Sequence, residues 1–150
     1  MGPHPGVARF TDGVDFTLPT GLVLPAGGYL VVAKDRTNLL ARHPGLSAAA
    51  VVGDYGGQLA DGGEHLALAM PQFDRRTNGT VVTTNVFYVT VNELTYRDGG
   101  RWGEWSDGGG SSLELIDPQA DNRLAANWAD SDETQKAPWT LIERTGVVDL

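Results

Sequence analysis

The chain has 150 residues, 41% of them hydrophobic, which suits one globular domain with its own core. It lacks any run of 18 apolar residues and any cysteine, which excludes a membrane-spanning helix, disulfides and Cys-based zinc sites. The net charge of −8 argues against nucleic acid as a partner, because proteins that bind phosphate backbones usually present a basic face.

The N-terminal half of the sequence predicts short strands separated by turns. Residues 1–13 are expected to form an irregular segment, and they lack the basic start and apolar stretch of a signal peptide. The alternating stretch 14–18 predicts a half-exposed strand, and the stretch 29–33, apolar on both faces, predicts a central strand. Asp35 is the expected N-cap of a short helix over residues 36–42.

The C-terminal half predicts a long hairpin followed by further strands. Asn78-Gly79 is the strongest hairpin signal, after a strand at 65–70. A bulge is expected at 92–93, where the apolar phase changes, and one or two helical turns are expected within 120–129. Strands are predicted at 111–117 and 139–143. Five side chains on apolar strand faces are expected to be nearly inaccessible to solvent: Val31, Phe87, Val89, Leu113 and Leu115.

Four sequence blocks carry a resemblance to a known family. They are LPAGGYLVVAKD (24–35), GQLADGGEHLAL (57–68), VNELTY (91–96) and DGGRWGEWSDGGGSSLELID (98–117), the last continuing into DNRLAANWA (121–129). In this order they resemble the bacterial lamin-tail domain. The resemblance implies an all-β, immunoglobulin-like β-sandwich over residues 14–130 with one or two short helices, and it leaves 131–150 as a C-terminal extension or strand that leads into a further domain.

Two departures from the family pattern bear on the fold. The opening strand motifs of the family do not occur before Val14, so the sandwich is expected to lack its first strands in this chain. The hairpin over 71–86 is also longer than the family's usual turn. Missing strands would leave a sheet edge unpaired.

The resemblance implies a non-catalytic structural or interaction module of a larger secreted or surface-attached bacterial protein. Its expected partner is a protein or polysaccharide of the cell surface, with no cofactor and no membrane insertion. The residues themselves agree, since no Gly-x-Ser-x-Gly elbow and no Gly-Lys-Ser/Thr phosphate loop occurs. An extracellular or cell-surface location follows as an expectation.

The glycine-rich loop 98–110 holds the candidate surface for a ligand or partner. Its members are Asp98, Arg101, Trp102, Trp105 and Asp107. Exposed aromatic rings beside carboxylates stack on sugars or anchor proteins, so a carbohydrate-binding module is the alternative function. A purely structural role, in which the tryptophans close the end of the sandwich, is also open. Arg101 is expected to pair with a nearby carboxylate of the same loop.

The acidic loops make calcium the one metal to consider as a ligand of this chain. The candidate ligands are Asp121, Asp130 and Asp132, since calcium favours carboxylate oxygens on flexible loops. Their spacing does not match an EF-hand loop, and Asp residues in turns usually hydrogen-bond their own backbone. No metal site is therefore predicted.

Overall fold

The computed structural model describes residues 6–131, and these are mainly strands with a few short helices. They divide into two compact units, of which the first ends at Arg97 and the second begins at Asp98. This boundary lies inside the range 14–130 that the sequence predicts as one sandwich. Within residues 6–131, no helix is long and apolar enough to cross a membrane.

The first unit contains five strands and two short helices. They are β1 (Arg9–Asp12), β2 (Val31–Ala33), α1 (Arg36–Arg42), a 3-10 helix (Ala48–Ala50), β3 (Val51–Gly53), β4 (Gly63–Asn78) and β5 (Val81–Arg97). The second unit contains β6 (Leu113–Leu115), a 3-10 helix (Ala125–Asn127) and β7 (Trp128–Asp130). The strands form an antiparallel sheet in the order β1-β4-β5, a parallel pair β2-β3 and an antiparallel pair β6-β7.

The predicted helix and its cap are confirmed. The Asp35 side chain accepts a hydrogen bond of 2.8 Å from the backbone N–H of Asn38, which satisfies one of the free donors of the first turn. Arg36 then ties the helix to its neighbours, because its Nε donates to the Val51 carbonyl at 2.9 Å and its backbone N–H donates to Asp54. The helical turn predicted within 120–129 is the 3-10 helix Ala125–Asn127.

The hairpin is also where the sequence predicts it. Asn78 pairs with Val81 across a two-residue loop, in which Gly79 has a φ of +61° that favours glycine. The β-bulge lies one residue before its expected position: Leu68 pairs with Asn92 and Ala69 with Thr90, so the additional residue is Val91.

Four strand predictions need correction or lie outside the described residues. The stretch 29–33, expected to form a central strand, contains only β2, which within residues 6–131 pairs with β3 alone. Residues 9–12, expected to be irregular, form β1 and pair with β4. The stretch 14–18 makes isolated bridges instead of a strand, because Thr17 pairs with Arg9 whereas Asp15 pairs with a different segment at Gly56. The strand predicted at 139–143 lies outside the described residues.

The core prediction is wrong in its choice of side chains. Val31 is 36%, Phe87 51% and Val89 42% exposed, and Leu113 and Leu115 are only half-buried. The buried apolar residues are mostly small ones instead: Phe16, Ala33, Val51, Ala67 and Ala69.

The reason lies in the two-sided apolar pattern of β5. Residues 86–91 read VFYVTV, so alternation cannot decide which face turns inward. A side-chain contact with β1 decides it, because the Arg9 guanidinium lies 3.7 Å from the centre of the Tyr88 ring and half-buries that face. Phe87, next in the strand, points to the opposite and exposed face.

Candidate functional site

The candidate loop 98–110 is anchored by a carboxylate from the strand pair of its own unit. Asp130 ends β7, where it pairs with Leu113 of β6. Its carboxylate accepts the backbone N–H of Trp105 at 3.0 Å and that of Ser106 at 2.8 Å. The Ser106 hydroxyl donates to the Gly103 carbonyl at 3.0 Å and closes the turn. The loop backbone around Trp105 is therefore fixed from the strand.

The same contacts set the charge state of Asp130. The backbone N–H of Trp105, together with the Ser106 hydrogen bonds, stabilises the charged form and lowers the pKa of Asp130 below its ordinary value. Partial burial opposes this shift. Asp130 is thus a carboxylate over the physiological pH range, and its oxygens are occupied by loop donors.

Glycines allow the loop to close tightly around Trp105. Gly108 has a φ of +73° and Gly100 one of +78°, values that other residues resist. A Cβ on Gly109 would lie 2.5 Å from the Trp105 carbonyl oxygen, and one on Gly103 would collide with the Asp130 carboxylate. The tight fold that the sequence predicts for this loop is confirmed at these positions.

The two loop tryptophans have different environments. Trp102 is half-buried, and its ring lies 6.1 Å from that of Trp128 at an interplanar angle of 45°. Trp128 in turn donates from its indole Nε1 to the Asn122 carbonyl at 2.8 Å. Trp105 is 67% exposed. Trp102 therefore contributes to packing, and Trp105 offers a free aromatic face.

A shallow, open depression lies beside Trp105. It has a volume of about 350 Å³, and its lining is Glu104, Trp105, Asp107, Gly108 and Gly109. The lining is mainly polar, with two carboxylates next to one aromatic ring. Such a surface binds a partner through stacking and hydrogen bonds to its rim.

The structure brings together only part of the predicted surface. Trp105 and Asp107 line the depression, whereas Asp98 and Arg101 are exposed outside its lining. The predicted pairing of Arg101 is wrong: in the described part of the chain it forms no ion pair with Asp98, Glu104 or Asp107. The loop is ordered by the Asp130 carboxylate rather than by this guanidinium.

Two of the three calcium candidates have protein partners. Asp121 accepts two hydrogen bonds of 2.9 Å from the Arg123 guanidinium, and these lower the pKa of Asp121 to about 2. Asp130 accepts the loop donors, and Asp132 lies outside the described residues. Among residues 6–131, no group of three or more His, Asp or Glu side chains is arranged to hold a metal ion.

One charged cluster was missed by sequence reasoning. The His65 Nδ1 lies 2.9 Å from the Asp12 carboxylate, and its Nε2 lies 3.6 Å from that of Glu93. Asp12 and Glu93 are both cross-strand partners of Ala67, so the cluster links β1, β4 and β5. The hydrogen bond to the Asp12 carboxylate, which accepts from the imidazole, raises the pKa of His65. Only the sheet register joins residues so distant in sequence.

Comparison with known proteins leaves the family resemblance as a prediction. No family model, curated protein or solved structure matches the chain.

Proposed function

We propose that this chain is a non-catalytic interaction module of a larger secreted or surface-attached bacterial protein. In this proposal residues 14–130 have an immunoglobulin-like fold, and the loop 98–110 presents Trp105 to a protein of the cell surface. The observation that supports it is the combination of a 67% exposed indole with a backbone held by Asp130.

The loop is ordered before a partner binds, and this pre-organisation supports the proposal. An aromatic side chain gives a large contact area and has few rotatable bonds, so it loses little entropy on binding. The hydrogen bonds from Trp105 and Ser106 to Asp130 have already ordered the backbone below the ring. An exposed aromatic on an ordered backbone is the kind of anchor that dominates the energy of protein interfaces.

A carbohydrate-binding module is the second candidate, and the same depression favours it. Glu104 and Asp107 line the depression together with Trp105. An indole face stacks on a sugar ring, and neighbouring carboxylates accept hydrogen bonds from its hydroxyls. The partner is then a cell-surface polysaccharide.

One binding experiment separates the two candidates. The labelled chain is incubated with bacterial cell-envelope fractions that are untreated, protease-treated or treated with glycoside hydrolases. Loss of binding after protease supports the protein partner, and loss after glycoside hydrolases supports the polysaccharide. Trp105→Ala should abolish binding, whereas Tyr29→Ala, which removes an aromatic ring that is 78% exposed in the other unit, should not.

Stability measurements keep this test free of folding artefacts. Trp105→Ala should leave the melting temperature nearly unchanged, because its ring is mostly exposed. Trp102→Ala should lower it, since the contact with Trp128 is lost. Equal binding by the wild type and Trp105→Ala would refute the role of the loop, and turnover in a hydrolase screen above a heat-inactivated control would refute the non-catalytic assignment.

A further inference from the structure

The outer edge of β5 is a long, unprotected strand edge. β5 has 17 residues and forms one side of the sheet β1-β4-β5, so within residues 6–131 no strand pairs with its other side. Residues 81–90 contain no charge, no proline and no glycine. Natural proteins usually protect such edges with lysine, proline, bulges or a covering segment. The bulge of this strand comes only at Val91, after the uncharged stretch.

The hairpin also extends beyond the strand that supports it. Among residues 6–131, β1 pairs with β4 only as far as Ala69, so the part of the hairpin between Ala69 and the turn has two strands in this described part of the chain. Its side chains are open to solvent on both faces: Phe73 is 56% and Phe87 51% exposed. A two-stranded ribbon is at best marginally stable in water, and a third strand makes it stable.

We infer that this edge pairs with the same edge of a second copy of the chain. The two β5 strands run antiparallel about a two-fold axis near Asn85 and Val86, the middle of the stretch 81–90. The sheets then join as one six-stranded sheet, β1-β4-β5 followed by β5-β4-β1 of the second copy.

Self-pairing fits the charge distribution of the strand. Two copies that each carry a net charge of −8 repel one another over most of their surface. The uncharged stretch 81–90 lets the two backbones meet with no like charges opposite each other. An isologous contact of this kind closes at two chains.

The extent of the pairing sets the expected affinity. Specific interfaces bury about 1,000 Å² of surface or more. Because this contact is limited to ten residues on each strand, we expect a weak dimer whose population rises with chain concentration. The contact uses only β5 and does not depend on the loop that holds Trp105, so each proposal can fail without the other.

The first test is the mass of the chain in solution, measured by sedimentation over a wide range of concentrations. The wild type should approach twice the 16.0 kDa of the chain as concentration rises. Asn85→Lys places two ammonium groups near the axis and should keep the chain monomeric, while Asn85→Thr should dimerise like the wild type. A wild type that stays monomeric at every concentration, or one that forms larger open-ended assemblies, overturns the inference.

Cross-linking provides a second test, in case Asn85→Lys does not fold. The chain contains no cysteine, so a bis-maleimide can link two chains only through a thiol that is introduced on each. Val86→Cys should form a covalent dimer with a short bis-maleimide, and Thr37→Cys, exposed on α1, should not. Equal cross-linking at both positions contradicts pairing at β5.

Discussion

Val51 offers the sharpest test of where the core lies. It begins β3, pairs with Val31 of β2 and is only 2% exposed. Its carbonyl also accepts the Arg36 Nε at 2.9 Å, which fixes the strand against α1. Val51→Ala keeps this backbone contact and removes only buried methyl groups, so the change reports packing alone.

The expected loss follows from the buried groups. Each buried methylene-sized group contributes about 0.8 kcal/mol, and the cavity left behind adds to the loss of two of them. We therefore expect Val51→Ala to lower the free energy of unfolding by about 2–3 kcal/mol. For a chain of this length that corresponds to a fall in melting temperature of about 4–12 °C.

Thermal and urea unfolding followed by circular dichroism measure this loss. Val23→Ala is the matched control, because Val23 is 82% exposed and the same change there should stay within about 0.5 kcal/mol. Val31→Ala, at the partner position in the ladder, should have an intermediate effect since Val31 is 36% exposed. Equal losses for Val51→Ala and Val23→Ala would refute the placement of the core at β3.

Two further predictions concern a glycine and a histidine. Gly63→Ala should destabilise the chain by more than about 1 kcal/mol relative to Gly45→Ala, as measured by urea unfolding. Gly63 has a φ of +113°, and an added Cβ would lie 2.6 Å from a backbone oxygen of β5, whereas a Cβ on Gly45 would meet open space. The pKa of His65 should lie above 6.5 and fall in Asp12→Asn, as measured by NMR titration. Since the pKa of His65 is higher in the folded chain, its contribution to stability is complete below pH 6.5 and is lost as pH rises through the folded pKa. In that pH range the melting temperature should change more with pH in the wild type than in Asp12→Asn.

The local elements were determined by the sequence because their causes are local. Asp35 caps the helix through a donor three residues away, and Gly79 supplies the positive φ that its hairpin turn requires. The change of apolar phase predicts a bulge at 92–93, one residue after its actual position at Val91. Such signals need no knowledge of the rest of the chain.

The choice of buried face and the arrangement of the site were decided by tertiary structure. The apolar pattern of β5 is two-sided, so only the contact between Arg9 of β1 and Tyr88 determined that the face of Phe87 stays exposed. The loop composition indicated a site containing Trp102 and Trp105 without distinguishing their roles. Trp128 partly buries the first, and Asp130, distant in sequence, holds the backbone of the second. These contacts join residues about 25 positions apart in the chain, so a local pattern does not reveal them.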